Sequence, residues 1–402
     1  MNMIYSIRNL EGLNNQLFVN LIAMERWGTI TDEKSFNQLT KQALNAIIVF
    51  FMAKKLEIVD RITIKWENFP RITLFTASKN CYATADVTAR VINMTLAKAG
   101  KDESAMDEYT VKVSSNVFSH EFAAWMFEGV DTFEHSLYKA ASKLATLVEL
   151  EQIGSTDQEF KEKKRASIEK ELDMFATVIP SMEFFRSEEF LRGIRYIAKL
   201  RYQNRWAIYP KNVNVSVLGH LFDTAVYANM ISLEEKMPEK KATKAFFLGL
   251  FHDLAELITK DMPSPTKDGI PGYRKASEQV EEELMEKELY PLFPEYLANE
   301  LRKMNFELPE NAEFRAIIKG ADYLSAASEI DRQVKAGTRY FGYLEALLGH
   351  ENKFRSETAK LGRESRKLFK EICRSNFRIL FPNVPKNKKW IMLFDFVDIM
   401  IS

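Results

Sequence analysis

Apolar residues recur at spacings of three and four along most of the chain, which is the period of an amphipathic helix. This pattern predicts helices over residues 13–27, 36–56, 85–98, 131–151, 161–178, 188–206, 220–235, 242–260, 274–288, 313–336 and 357–377. Alternation typical of a strand occurs only in DRITIKW, residues 60–66, and the turn residues of TKDGIPG, residues 266–272, predict a loop. The pattern therefore predicts an all-α protein with at most a minor β element.

The composition agrees with a helical protein and limits the number of domains and the kinds of partner that we expect. Glycine and proline number only 15 and 12 among 402 residues, so turn-forming residues are scarce. The length predicts two or three domains. Lys and Arg together number 56, as do Asp and Glu. This balance excludes the strong positive field that non-specific binding to nucleic acid or to an anionic membrane surface requires.

Two further features concern location. The longest uninterrupted apolar run, residues 46–53, is far shorter than the roughly 20 residues that cross a bilayer. The first residues, MNMIYSIRNLEG, lack the apolar stretch of a signal peptide, and Cys81 and Cys373 form no CxxC pair. We therefore expect a cytoplasmic, reducing location, with neither a membrane nor a nucleic acid as partner.

Polar residues interrupt an apolar segment, FLGLFHDLAELITKD, at His252, Asp253 and Glu256. Buried polar groups are costly unless they are paired or bind a metal, and imidazole and carboxylate are both good ligands for first-row metals. Adjacent helical residues point about 100° apart, so a shared ion needs further ligands from other helices. His220 and Asp322, which also lie in mainly apolar segments, are the candidates, and they complete the order His, His-Asp, Asp.

This order resembles the HD-domain metal-dependent phosphohydrolases, which are named after the His-Asp doublet. The set is most similar to their YfbR-like 5'-nucleotidase (5'-deoxynucleotidase) branch. Arg205-Trp206 precedes the first histidine, Glu256 follows the doublet, and Asp261 opens the segment DMPSPTK. The resemblance covers about residues 194–381 and implies an HD-domain helical bundle.

The resemblance also implies a function and a set of site residues. The function is hydrolysis of nucleotides, as a 5'-nucleotidase that removes phosphate from (deoxy)nucleoside monophosphates through a metal-activated water. One divalent transition metal ion (Mn, Co, Fe, Ni or Zn) would be held by His220, His252, Asp253 and Asp322. Glu256 would activate the water and Asp261 would orient the sugar or the water, while Arg205 would bind the phosphate and Trp206 would shape the sugar pocket.

Two alternatives stay open from the sequence. One is an HD hydrolase of another phosphoester, such as a deoxynucleoside triphosphate, a cyclic nucleotide or an alarmone. The other is a non-catalytic nucleotide-binding regulator.

The family commonly has an acidic residue and a serine beside the first histidine, whereas Gly219 and Leu221 stand here. Because a metal-bound imidazole usually needs a partner for its other nitrogen, we expect weaker metal binding or a compensating residue elsewhere. His350 and the basic run at residues 386–389 are expected at the solvated surface.

The first half of the chain aligns weakly with the second. The aligned pairs are Asp86 with His220, Arg71 with Arg205, His120-Glu121 with His252-Asp253, and Asp173 with Asp322. The alignment predicts two tandem HD-like halves, a degenerate structural or regulatory domain at residues 1–185 and a catalytic domain at residues 186–402. The halves would pack as an intrachain pseudo-dimer, which imitates a homodimer of single HD domains, or the chain itself would form a homodimer. The first half would be a scaffold, or an effector site in which Arg71 holds a nucleotide phosphate.

Overall fold

The computed structural model describes residues 5–28, 35–85, 87–154, 157–260, 264–358 and 361–380. Its helices in the first half are α1 (Ile7–Gly12), α2 (Phe18–Ala23), α3 (Gln38–Ile58), α4 (Asn68–Lys79), α5 (Ala89–Lys98), α6 (Glu103–Val117), α7 (His120–Phe127), α8 (Phe133–Gln152), α9 (Gln158–Phe175) and α10 (Met182–Arg186). Those of the second half are α11 (Glu188–Ala198), α12 (Val217–Glu234), α13 (Glu239–Phe251), α14 (Glu256–Thr259), α15 (Ser264–Gly269), α16 (Tyr273–Leu284), α17 (Glu295–Arg302), α18 (Arg315–Lys335), α19 (Gly342–Thr358) and α20 (Arg363–Leu380). No strand occurs in these ranges, so the prediction of an all-α fold is confirmed.

Two local predictions are wrong. Residues 60–66 form an irregular extended segment rather than a strand, since no neighbouring strand pairs with them. The backbone N–H of Lys65 donates instead to the carboxylate of Glu134 (2.8 Å), which satisfies it without a sheet. The loop predicted at residues 266–272 begins inside helix α15, and only its end is irregular, where Gly272 (φ 79°) precedes α16.

Two long helices, α3 and α12, form the centre of the molecule and pack against each other. Nearly every residue of both is buried, as expected for helices that are apolar on most of their circumference. Helix α8 packs on α3, while α13 and α18 pack on α12. The rings of Phe50 and Phe51 on α3 contact Phe251 on α13, with centroids 4.9 and 6.1 Å apart. The two halves therefore share one continuous apolar core.

The chain enters the two central helices in the same way. An isolated antiparallel bridge, residue 25 with 37 and residue 204 with 216, directly precedes each helix. An Arg-Trp dipeptide follows the first residue of each bridge, and both tryptophans, Trp27 (φ 64°) and Trp206 (φ 57°), have left-handed backbones. Asn37 caps α3 and Ser216 caps α12 through their side chains. Across the described residues, no helix combines the length and hydropathy needed to cross a bilayer.

Candidate active site

Four predicted side chains converge on one point between α12, α13 and α18. The ligand atoms of His220, His252, Asp253 and Asp322 all lie within 4.8 Å of one another. Nε2 of His220 lies 3.2 Å from Oδ1 of Asp322, and Nε2 of His252 lies 3.0 Å from Oδ2 of Asp253. In the described part of the chain, no other group of histidine, cysteine and acidic residues has this geometry. We call these four residues the ligand cluster.

A glycine and a helix break bring the cluster together. A Cβ at Gly249 would lie 3.0 Å from Cα of Ala225, so glycine lets α13 approach α12 closely. Helix α13 ends at Phe251, and α14 begins only at Glu256. The single helix predicted over residues 242–260 is therefore wrong, because the apolar period continues through the turn that interrupts it. His252 and Asp253 lie in that turn, and the ligand atoms of both reach the same point.

Both imidazoles are oriented through their second nitrogen. Nδ1–H of His252 donates to the carbonyl oxygen of Gly249 (2.8 Å). Nδ1 of His220 lies 2.8 Å from Oε1 of Glu329 and 3.0 Å from Oγ of Ser325. Since an ionised carboxylate only accepts, Nδ1–H of His220 is the donor to Glu329. In the neutral form of both rings, Nε2 therefore carries the lone pair and faces the acids, which is the tautomer that a metal requires.

Glu329 was not among the predicted site residues. Its fully buried carboxylate accepts hydrogen bonds from Nε of Arg205 (3.1 Å) and Nε1 of Trp206 (2.8 Å), in addition to His220. We call these four residues the Glu329 cluster. The sequence signal was an acid seven residues after Asp322 on the same face of an apolar helix, α18. Glu329 supplies the partner for the imidazole that the sequence lacks beside His220.

The electrostatics of the ligand cluster favour a divalent cation. Burial by itself lowers the pKa of His252, but the carboxylates of Asp253 and Asp322 outweigh it and raise that pKa to about 10. Although burial alone would raise the pKa values of Asp253 and Asp322, the two histidines hold both well below their usual range. Two half-buried carboxylates thus favour about two positive charges at this point, which one divalent ion between neutral imidazoles also supplies.

A buried atom at this point also lacks a partner. Nε2 of His252 has no hydrogen bond of acceptable geometry, although Oδ2 of Asp253 is only 3.0 Å away. A buried nitrogen without a partner is costly, and a coordinated ion would remove that cost. The donor set of two imidazoles and two carboxylates suits a first-row transition metal. The residues present therefore fit the metal that the sequence implied.

Arg205 and Trp206 lie beside the ligand cluster. Nη1 of Arg205 is 3.9 Å from Oδ2 of Asp253, so the guanidinium reaches the edge of the cluster. The indole of Trp206 stacks on Tyr209, with centroids 5.6 Å apart, and contacts the edge of the ring of His350 at 6.1 Å. The expectation that His350 is solvated is wrong: it is half-buried, and burial lowers its pKa to about 4. The aromatic group gives one side of the site a flat, apolar wall.

The two remaining predicted residues follow the doublet. Glu256 is half-buried in the first turn of α14, and its backbone N–H donates to the carbonyl oxygen of Asp253 (3.1 Å). It thus belongs to the same short stretch of chain as the ligands. Asp261 lies outside the described residues.

Comparison with known proteins agrees with this geometry. Residues 192–360 match the model of the family described as 5'-deoxynucleotidase YfbR-like. We call this part of the chain, which matches that family model, the YfbR-like domain. Over 156 residues, the chain is 24% identical to a 5'-deoxynucleotidase of Photorhabdus temperata and 25% identical to one of Yersinia pestis. Each alignment covers 38% of this chain and 79% of the relative.

The first half of the chain packs directly against the YfbR-like domain at the position beside the first histidine. A Cβ at Gly219 would lie 2.9 Å from Cδ2 of Leu39 on α3. A side chain there would require the end of the Leu39 side chain to shift, so glycine gives α3 and α12 their present close contact at this position. Glu329 approaches the imidazole from α18.

The residues aligned from the first half do not form a second cluster of this kind. His120 and Glu121 are exposed at the start of α7, and Asp173 is exposed on α9, where it pairs with Arg186 (2.7 Å). Arg71 is held by two carboxylates, Glu128 and Glu239, each at 2.6 Å. Asp86 lies outside the described residues. The described members of the aligned set are therefore not gathered around an ion, and Arg71 is already engaged.

A different part of the first half does reproduce the Glu329 cluster. The buried carboxylate of Glu149 on α8 accepts from Nε (3.1 Å) and Nη2 (2.9 Å) of Arg26 and from Nε1 of Trp27 (3.1 Å). It also accepts from Nη1 of Arg201 (3.3 Å). We call Glu149, Arg26, Trp27 and Arg201 the Glu149 cluster. Its Arg-Trp dipeptide corresponds to Arg205-Trp206 in the YfbR-like domain, in a register that the sequence alignment did not find.

Proposed function

We propose that the protein is a metal-dependent phosphohydrolase that removes the 5'-phosphate from deoxynucleoside monophosphates. The observation that carries the proposal is the convergence of the ligand cluster beside Arg205 in a YfbR-like domain. The relatives' names, which describe 5'-deoxynucleotidases, support the choice of substrate. The reaction adds water to phosphorus and breaks the bond to the 5' oxygen, which yields a nucleoside and inorganic phosphate.

Each residue of the site has a proposed role. His220, His252, Asp253 and Asp322 hold one divalent ion of Mn, Co, Fe, Ni or Zn. Such an ion, when bound, makes a water more acidic and neutralises charge on the phosphoryl group.

The other roles belong to this chain's own side chains. Arg205 binds the phosphate through its guanidinium, which is fixed in direction by Glu329. Trp206 forms the wall against which the sugar packs. Glu256 accepts the proton of the attacking water, and Asp261 orients the water or the sugar.

We propose that Glu329 is a positioning residue of this site. One carboxylate fixes a metal-ligand histidine and the phosphate-binding arginine at the same time. The relative placement of the ion and the phosphate therefore depends on a single buried group. This arrangement serves a reaction in which the phosphate must meet the water at a fixed angle.

We also propose that residues 1–185 and 186–402 are two copies of one helical unit, packed as an intrachain pseudo-dimer. The matching bridges, caps and Arg-Trp dipeptides before α3 and α12 support this proposal. In that register, Lys41 corresponds to His220, and Ser142, seven residues before Glu149, corresponds to Asp322. Asn80 and Cys81, directly after α4, correspond to the His252-Asp253 doublet. A unit with these replacements supports the fold and binds no metal.

The free thiols, Cys81 and Cys373, support a cytoplasmic location for the protein.

The central experiment measures phosphate release from a panel of nucleotides in the presence of Mn²⁺ or Co²⁺. We expect release from deoxynucleoside monophosphates by the wild type and background release by Asp253→Ala. Asp173→Ala, which removes an exposed aspartate of the first half, is the matched control and keeps full activity. Equal release by the wild type and Asp253→Ala, or no release with any metal, would contradict the proposal.

The same panel separates the alternatives. Release of triphosphate or pyrophosphate from nucleoside triphosphates, or hydrolysis of cyclic nucleotides or alarmones, would select an HD hydrolase with another substrate. Nucleotide binding without metal-dependent turnover would select a regulator.

A further inference from the structure

A groove of about 600 Å³ lies between the two halves, and none of the ligand cluster lines it. One wall is apolar and comes from α2, with Val19, Ile22 and Ala23. The opposite wall comes from the loop at residues 211–214 and the end of α18. Its volume is in the range of pockets that hold a nucleotide-sized molecule. Arg332 in this groove is ten residues beyond Asp322 on α18, so the groove is about 15 Å from the ligand cluster along the helix.

The second wall is cationic. Lys211, Arg332 and Lys335 line the groove, against one carboxylate, that of Glu25. Arg332 is buried and donates from Nη2 to Asp223 (2.6 Å), whereas its Nε and Nη1 have no hydrogen-bond partner. These two nitrogens are themselves buried, and the guanidinium lies 5.9 Å from the centre of the ring of Phe18, so Arg332 contributes positive charge to the wall rather than an accessible donor.

The two lysines differ in how far their charges are neutralised. Lys335 donates from Nζ to Asp331 (2.6 Å) and Asn15 (2.7 Å). Lys211 donates to a neutral acceptor, the carbonyl oxygen of Arg205, at 3.3 Å. The carboxylates of Asp223 and Asp331 therefore offset part of the positive charge of Arg332 and Lys335. The acceptor of Lys211 is neutral and does not offset its charge. The net positive charge of that wall therefore comes from Lys211, and the carboxylate of Glu25, which also lines the groove, offsets it when the groove is taken as a whole.

We propose that this groove binds a phosphate-bearing ligand of nucleotide size and that its occupancy regulates the active site. The phosphate lies against Lys211 and Lys335, and the body of the ligand lies against α2. The same loop connects the groove to the site: Lys211 bonds to the backbone of Arg205, and the side chain of Gln333 holds residues 212 and 213. The pair Arg332–Asp223 is one helical turn from the pair Glu329–His220.

Binding is tested by calorimetry on the full chain in EDTA, with ATP, inorganic phosphate and adenosine as probes. We expect ATP to bind one per chain and adenosine at least about 10-fold more weakly, since a charge-assisted hydrogen bond contributes about 1.5–3 kcal/mol. Lys335→Gln should weaken ATP binding about 10-fold. If inorganic phosphate binds as tightly as ATP and is equally sensitive to Lys335→Gln, the ligand is the reaction product. If ATP binds more tightly than inorganic phosphate, the ligand is a nucleotide.

Two controls make the test specific. Lys163→Gln removes a lysine that, like Lys335, pairs with an acid four residues earlier, but on α9, away from the groove, so it should leave affinity unchanged. Ile22→Trp fills the apolar wall and should abolish binding. The proposal is overturned if neither ATP nor phosphate binds at millimolar concentration. It is equally overturned if binding survives Ile22→Trp or responds equally to both lysine variants.

The regulatory part rests on the proposed function and is tested separately. ATP should change the KM for a deoxynucleoside monophosphate at least about 3-fold in the wild type, a coupling within the usual range, and Lys335→Gln should need about 10-fold more ATP for the same change. An unchanged wild-type KM would overturn regulation. Since the binding test needs no catalysis, an inactive protein would overturn the proposed function and not the groove.

Discussion

Glu149 on α8 and Glu329 on α18 are two fully buried acids. Each binds the segment that leads into one of the two central helices, α3 and α12. Each accepts hydrogen bonds from an arginine and from the tryptophan that follows it. Burial alone would raise the pKa of each carboxyl, but the neighbouring cations outweigh it and hold both at about 2. The clusters differ in what lies beyond the acid. In the second half it is an imidazole of the ligand cluster, and in the first half it is a lysine.

Lys41 is the residue that sets the halves apart. It is four residues after the cap of α3, as His220 is four residues after the cap of α12. Its buried Nζ donates to the carbonyl oxygen of Ser142 (2.6 Å) and to Oγ1 of Thr146 (2.5 Å). In the first half, the positive charge near the buried acid comes from side chains of the protein. In the second half, the acids of the ligand cluster are suited to binding a metal ion. The same arrangement serves stability in one half and chemistry in the other.

The largest expected contrast is in metal content. We predict one transition metal ion per chain, as measured by mass spectrometry of the purified protein. His252→Ala should lower metal content to background and abolish phosphate release. Asn80→Ala changes the residue at the corresponding helix end in the first half and should alter neither. Two ions per chain, or a loss of metal in Asn80→Ala, would remove the distinction between the halves.

Neutralising the two acids should separate their roles. Glu329→Gln should lower metal affinity or kcat/KM by about 100-fold, the upper range for a residue that orients a metal ligand. Glu149→Gln should leave metal affinity and kinetics unchanged. It should instead lower the free energy of unfolding by about 3 kcal/mol, because it leaves buried cations without their counter-charge. Titration with Mn²⁺, steady-state kinetics and urea unfolding of both variants provide the measurements. A kinetic defect in Glu149→Gln would contradict the division of roles.

A smaller contrast is expected between the two arginines. Arg205→Lys keeps the charge but loses the planar fork, so kcat/KM should fall about 10-fold, mainly through KM. Arg26→Lys makes the same change beside Glu149, and its kinetics should match those of the wild type. Equal KM values for Arg205→Lys and the wild type would show that Arg205 does not contact the phosphate.

The sequence was sufficient to group the four ligands, since histidines and aspartates buried in apolar segments need a common partner to offset their lost hydration. It was not sufficient to find Glu329, because the partner of an imidazole across a helix interface depends on how α12 and α18 cross. The helix break after Phe251 was also missed, since the apolar period runs through it. In the first half, Lys41 and Ser142 share no chemistry with the residues that they correspond to. The repeated Arg-Trp dipeptide is the sequence signal for this register, and the contacts around Glu149 give it its meaning.

The smallest effect concerns an imidazole in the first half whose pKa shifts in the direction opposite to that of His252. Burial, followed by nearby Lys139, lowers the pKa of His135 to about 4, and its Nδ1 accepts a hydrogen bond from the backbone N–H of Asp131 (3.2 Å). A group with a lowered pKa in the folded state stabilises the protein above its ordinary value of about 6.5. This contribution is lost as the pH falls from about 6.5 towards 4.

We therefore expect the Tm of the metal-free wild type to fall more steeply over that range than the Tm of His135→Gln, by at least about 2 °C. The glutamine oxygen can accept the same hydrogen bond but does not titrate. His120→Gln, which changes an exposed histidine of the same half, should follow the wild type. Parallel curves for all three proteins would show that burial does not lower the pKa of His135 in the folded protein.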